Sequence, residues 1–141
     1  MKFKFDFKFN LDDKGMVPKF KKVLWLSMLK MQELAIQKCP VDTGRLRSSI
    51  ILEPASEGYD EYILADGVEY GAGVEYGTRP HPVSPEDLRG WARRKFGDES
   101  IAFAVAKKIA KYGTRPQPFF RPALDEVKKI HLPRFFKFVF S

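Results

Sequence analysis

The chain has 141 residues, 44% of them hydrophobic and thirteen of them Phe, with a net charge of +7 and a pI near 9.5. That is enough apolar material for one core and too little length for two independent ones, so intrinsic disorder and a multidomain layout are both excluded. The charge makes polyanions plausible neighbours, although on its own it bears on solubility and encounter, not on fold.

Residues Lys2–Asn10, "KFKFDFKFN", alternate strictly between Phe and polar side chains, the period of a half-buried strand with one aromatic face. Neither this start nor any later segment holds a continuous apolar run of about 18 residues, so a non-secreted product without membrane contact is expected. From Pro18 to Lys38 the apolar residues Phe20, Val23, Leu24, Met28, Met31, Leu34 and Ala35 recur at steps of three and four, which predicts one long amphipathic helix that must stop before Pro40. Cys39 stands alone, which rules out an internal disulfide and points to a reducing compartment.

After "PVDTGRLR", residues 49–78 are rich in β-branched and aromatic residues punctuated by glycine, and predict a meander of short antiparallel strands. Gly71 and Gly73 are expected at a bulge or a close backbone approach. Ser84 and Pro85 form a helix start, with Glu86 and Asp87 in its first turn; a second helix runs from Glu99 to Tyr112, with Gly113 as the left-handed residue that ends it. Residues 84–112 are therefore a two-helix insertion, with Trp91, Ile101, Val105 and Ile109 burying one side and Arg93, Arg94, Lys107 and Lys111 facing outward. In the C-terminal segment, residues 113–141, Pro122–Ile130 predicts a short helix, and "RFFKFVF" is either a strand or a last apolar helical turn. The sum is a single α+β domain: about four antiparallel strands, a long helix across them, the two-helix insertion and a short C-terminal helix.

The pentapeptide "YGTRP" occurs twice, at Tyr76–Pro80 and Tyr112–Pro116. The first copy is expected to leave a strand and the second a helix, each a rigid exit turn with Gly77 or Gly113 for positive φ and a proline fixing the chain beyond it. The flanking sequences do not repeat, so duplicated domains are excluded.

Chemistry-bearing patterns are few. Asp42-Thr43-Gly44 matches the aspartic-protease triplet, in which two carboxylates share a proton. Here it follows a helix and runs into Arg45 and Arg47, which favours a turn closed by local pairing of Asp42 with one of those arginines. "GAGVEYG" has the wrong spacing for a dinucleotide loop and is followed by Thr-Arg-Pro-His-Pro, where a helix would be needed. His81 and His131 lie far apart, without cysteines or clustered carboxylates at ligand spacing. No catalytic residue, cofactor or metal is therefore expected. Basic residues cluster at Arg45 and Arg47 and again between Arg79 and Arg115, as a solvated face or, alternatively, as a site for duplex nucleic acid.

Read in order, "CPVDTGRLRSSI", "VEYGAGVEYGT", "WARRKFG" and "KYGTRPQPFFRPALDEV" resemble the neck, tail-completion or minor tail component family of long-tailed bacteriophages. The matching motifs fall at Pro40–Leu46, Tyr70–Thr78 and Gln117–Leu124, and the likeness spans roughly residues 20 to 130. The Lys/Phe strand and the "HLPRFFKFVF" end lie outside it. The resemblance implies a non-catalytic virion protein that forms a ring, of six subunits or alternatively twelve, at the head-to-tail junction after assembly in the host cytoplasm. It implies contacts with adjacent head-completion and tail proteins, and non-specific contact with the passing genome. Glu75, Tyr76, Arg79, Phe119, Phe120 and Arg121 are then the expected subunit contacts, with Asp42, Thr43 and Gly44 shaping a turn and the basic insertion face meeting partners.

Overall fold

The computed structural model describes residues 1–6 and 15–141. The fold is α+β. Three strands, β1 (Lys2–Asp6), β2 (Ile51–Pro54) and β3 (Glu61–Ala65), form one antiparallel sheet in the order β1-β3-β2. The helices are α1 (Met16–Lys38), α2 (Arg45–Ser48), α3 (Gly71–Tyr76), α4 (Pro85–Phe96), α5 (Ile101–Tyr112), α6 (Phe120–Glu126) and α7 (Leu132–Phe140), the last two joined by a π-helical turn over Val127–His131.

The alternation in β1 does what a period of two requires. Phe3 pairs with Leu64 and Phe5 with Tyr62, on the face that Leu52 shares, while Lys2, Lys4 and Asp6 point to solvent. The rest of the anticipated 2–10 strand lies outside the described residues. Helix α1 lays Val23, Leu24, Ser27, Met28, Met31, Leu34 and Ala35 into the core, and Ser27 satisfies its buried hydroxyl by donating to the Val23 carbonyl at 2.7 Å. Cys39 closes this stripe as a buried free thiol, its pKa pushed up by that burial. Helices α6 and α7 cover the same layer: the Phe120 ring of α6 lies tilted 5.0 Å from Phe3, and Phe136 and Phe140 of α7 pack on Phe20 at 5.9 and 5.1 Å.

Several expectations give way. The sheet has three strands among the described residues, not about four, because residues 71–76 of the anticipated meander form helix α3. The first "YGTRP" therefore leaves a helix, not a strand. Gly71 is a site of close approach and not a bulge: a Cβ there would sit 2.3 Å from Asp66 Oδ1. The C-terminal apolar stretch is helical. Pro133 has no N–H for the helix, and the wider turn just before it absorbs the mismatch.

Deleting Met1–Asn10 should strip one edge from β3 and uncover Phe120, so the truncated protein is expected to lose solubility. A sedimentation assay of the expressed variant checks this; a soluble, monodisperse deletion would contradict the packing just described.

The α4–α5 pair is a helical hairpin whose buried residues are Ala92, Ala102 and Ala106. Trp91, Ile101, Val105 and Ile109 are only partly covered, so the expected aromatic anchor of this insertion is instead an alanine seam. Ser84 caps α4 as anticipated, its Oγ accepting the Glu86 N–H at 3.3 Å, and Gly97 ends it in the left-handed conformation.

Candidate functional site

The two copies of the pentapeptide are each other's partners. Thr78 and Thr114 form an antiparallel bridge, the Thr78 N–H donating to the Thr114 carbonyl at 3.1 Å and the Thr114 N–H to the Thr78 carbonyl at 3.2 Å, with the two hydroxyls 2.9 Å apart. Reciprocal bonds between identical segments make a local two-fold clasp. Gly77 (φ 74, ψ 176) and Gly113 (φ 72, ψ −160) share a conformation open to little but glycine. Close approach adds a second requirement: a Cβ on Gly77 would lie 2.6 Å from the Thr114 carbonyl oxygen, and one on Gly113 only 1.9 Å from that of Thr78. Gly113 ends α5 with its N–H donating to the Ile109 carbonyl at 2.8 Å, but at ψ −160 its positive-φ conformation is not the left-handed helical one expected. The chain leaves the body at Thr78 and returns at Thr114, so the α4–α5 hairpin hangs from this clasp.

Beneath it, Glu75 is fully buried. Its Oε2 accepts the Phe119 and Phe120 N–H groups at 2.7 and 2.9 Å, and its Oε1 accepts the Arg121 N–H at 2.9 Å and Arg121 Nε at 3.1 Å. Arg121 also donates to the Glu75 carbonyl at 2.7 Å and stacks over Tyr76, 4.6 Å from the ring centre. One carboxylate thus satisfies the first donors of α6, which has no side-chain cap of its own. Burial pushes the Glu75 carboxyl up, but the backbone donors of Phe119, Arg121 and Phe120, together with the Arg121 side chain, hold it below the usual glutamate range. Next door the Gln117 N–H donates to the Val74 carbonyl at 2.7 Å, tying α3 to the segment entering α6.

The Asp42 turn joins the same region. Gly44 has φ 85, and Thr43 Oγ1 accepts the Arg45 N–H at 3.4 Å. Asp42 does not pair with Arg45 or Arg47. Arg45 reaches Glu69 at 3.4 Å and Arg47 donates to the Cys39 carbonyl at 3.2 Å, while Arg94 of α4 grips Asp42 with two parallel bonds of 2.7 and 2.5 Å. That bidentate bond holds the Asp42 carboxyl below its ordinary value. Asp42→Asn is expected to leave the melting temperature close to wild type, since the pair is exposed, while letting the hairpin swing. Small-angle scattering checks this: the variant should show a wider spread of shapes, and Asp42→Arg combined with Arg94→Asp should restore the wild-type profile.

Of the expected contact residues, Glu75, Phe119 and Phe120 have no exposed surface and serve the chain's own core. Their burial corrects the reading of them as subunit contacts. Tyr76, Arg79 and Arg121 do reach solvent. On the insertion, Arg93 pairs with Glu99 and Arg94 with Asp42, so neither is the free outward charge anticipated; Lys107 and Lys111 are exposed on α5. The structure brings together Asp42 with Arg94, Gly77 with Gly113, and Glu75 and Tyr76 with Phe119, Phe120 and Arg121. It leaves Arg93, Lys107 and Lys111 apart from that knot. Sequence reasoning missed Glu75 as a cap acting across the chain, because a capping carboxylate is sought a few residues from its helix. It also missed the buried Asp66, whose Oδ2 has no hydrogen-bond partner among the described residues.

Among the described residues no cluster of three or more His, Cys, Asp or Glu is placed to hold a metal, and no helix is long and apolar enough to cross a membrane. Comparison of the chain with protein-family models, with curated proteins and with solved structures finds no match.

Proposed function

We propose that the protein is a structural virion component of a tailed phage or prophage: a ring-forming neck or tail-completion protein at the head-to-tail junction, with no catalytic step of its own. The observation that carries this is convergence. The three motifs of the resemblance, at Pro40–Leu46, Tyr70–Thr78 and Gln117–Leu124, are remote in the chain but meet in one knot: Arg45 lies over the Tyr70 ring, Gln117 bonds to Val74, and Glu75 accepts from Phe119, Phe120 and Arg121. The ionised groups of that knot are bonded to one another, as suits a rigid mount for a projecting hairpin better than a reaction centre.

On this proposal the ring has six subunits, with twelve as the alternative, and its hairpins meet the adjacent head-completion and tail proteins or the passing genome. The test is to remove the gene from the virus that carries it and view the particles. Filled heads and separate finished tails, rejoined when purified protein is added, are the expected result; intact tailed particles would overturn the proposal.

A second reading, direct binding of duplex nucleic acid, is favoured by the placement of charge. Residues 79–116 carry nine basic and four acidic residues, and so five of the seven net positive charges. If that is the main task, affinity for random duplex should fall steeply with salt, with a log–log slope of several units.

A further inference from the structure

Two exposed patches of opposite chemistry occupy different parts of the fold. The first is an open groove of about 660 Å³ beside the hairpin, floored by Pro82, Val83, Pro85, Phe103 and Ala106 and edged by Lys107. Along α4 the arginines are engaged, Arg89 with Glu86, Arg93 with Glu99 and Arg94 with Asp42. Lys107 and Lys108 on α5 are exposed and make no ion pair among the described residues. Of the two, Lys107 lines the groove and sets an uncommitted positive charge at the lip of an apolar floor, while Lys108 stands next to it on α5 outside the lining.

The second patch is the turn between β2 and β3. Residues 51–62 hold four acidic residues, Glu53, Glu57, Asp60 and Glu61, and no basic one. Asp60 is bonded to Ser56 and Glu61 to Lys4, whereas Glu53 and Glu57 are exposed and make no ion pair among the described residues. At the tip Tyr59 is 58% exposed with φ 56, and it is the only non-glycine among the described residues with positive φ. A bulky residue is rare in that conformation, which glycine adopts freely, so the backbone here favours a smaller residue than the one present.

A chain that carries an acidic tip with an exposed aromatic anchor, and elsewhere a lysine-edged apolar groove, is complementary to itself head to tail. Contacts of that kind close into rings when the rotation per subunit allows. We propose that the β2–β3 turn of one copy docks in the hairpin groove of the next, with the Tyr59 ring on the apolar floor and Glu53 and Glu57 facing Lys107 and Lys108. The inference rests on the ring reading above and names the contact that would build the ring. The aromatic anchor supplies affinity, and the charges set encounter and register. At +7 overall the copies also repel one another, so the contact is weak in free protein and strongest where neighbouring proteins hold the copies together.

The test uses full-length protein, alone at high concentration and with the products of the neighbouring genes. Gly58→Cys protein mixed with Ala104→Cys protein should form a disulfide-linked pair on oxidation. Lys107→Glu with Lys108→Glu should abolish that link, and Glu53→Lys with Glu57→Lys on the other partner should restore it. Tyr59→Gly separates anchor from fold: it should melt no lower than wild type, yet weaken self-association in sedimentation by about tenfold or more. Assembly without the link, without rescue by the charge swap, or undiminished in Tyr59→Gly would overturn this contact while leaving the ring standing. Absence of self-association in every mixture would sink both.

Discussion

Gly113→Ala is expected to be among the most damaging single substitutions in the protein, costing upwards of about 4 kcal/mol. The conformation at φ 72, ψ −160 costs a non-glycine residue about 1–3 kcal/mol by itself. The larger contribution is steric. The new Cβ would fall 1.9 Å from the Thr78 carbonyl oxygen and 2.7 Å from the Arg79 carbonyl carbon, which are backbone atoms and cannot rotate away. Relief requires the bridge to part, with loss of both N–H···O bonds and the paired threonine hydroxyls. Gly97→Ala is the control, because Gly97 also has φ 72 but nothing lies within 4 Å of its missing Cβ, so about 1 kcal/mol is expected there. Denaturant titration of the two variants compares them directly. Equal losses would mean that the clasp does not hold the two pentapeptides together in solution. Amide exchange at Thr78 and Thr114 gives the local readout, with protection lost in Gly113→Ala and kept in Gly97→Ala.

Glu75→Ala is expected to cost about 3–5 kcal/mol, the range for removing one side of a buried charged network. Three backbone N–H groups at the start of α6 and one face of Arg121 lose their acceptor together. Glu75→Gln keeps the shape but turns an amide N–H₂ toward donors, so it should recover only part of the loss. The pH dependence follows from a carboxyl held lower in the folded chain than in the unfolded one. Its contribution is complete above the ordinary glutamate value of about 4.3 and is lost as pH falls through the lower folded value. The stability gap between wild type and Glu75→Ala should therefore be constant near neutrality and shrink in acid. A gap that widened as pH fell would show that the carboxylate is not the acceptor described.

What could be read locally was read correctly where the cause is local. The three- and four-residue spacing over α1, the alternation in β1 and the Ser84-Pro85 start of α4 each depend on side chains within one or two turns of each other, so a short window holds the whole cause. That residues 40–46, 70–78 and 117–124 touch one another is not visible in any such window, because their contacts join parts remote in the chain. Helix α3 was missed for the opposite reason. Gly-Ala-Gly-Val-Glu-Tyr has poor intrinsic helix preference, and its conformation is stabilised by bonds to Gln117, Phe119, Phe120 and Arg121, all far along the chain.

The repeats make the division sharpest. The tetrapeptide Val-Glu-Tyr-Gly occurs at Val68–Gly71 and again at Val74–Gly77, so sequence alone determined that the same acid stands twice in the same local setting. Only the tertiary structure decided that Glu69 is a surface partner of Arg45 while Glu75 is the buried cap of a distant helix. The same holds for the two copies of Tyr-Gly-Thr-Arg-Pro: their glycines announced unusual backbone, but that each copy is the other's bonding partner depended on the whole hairpin between them folding back. A carboxylate or a peptide N–H has the same chemistry wherever it occurs. Its energetic weight is set by which groups displace water around it, and that is a property of the assembled core.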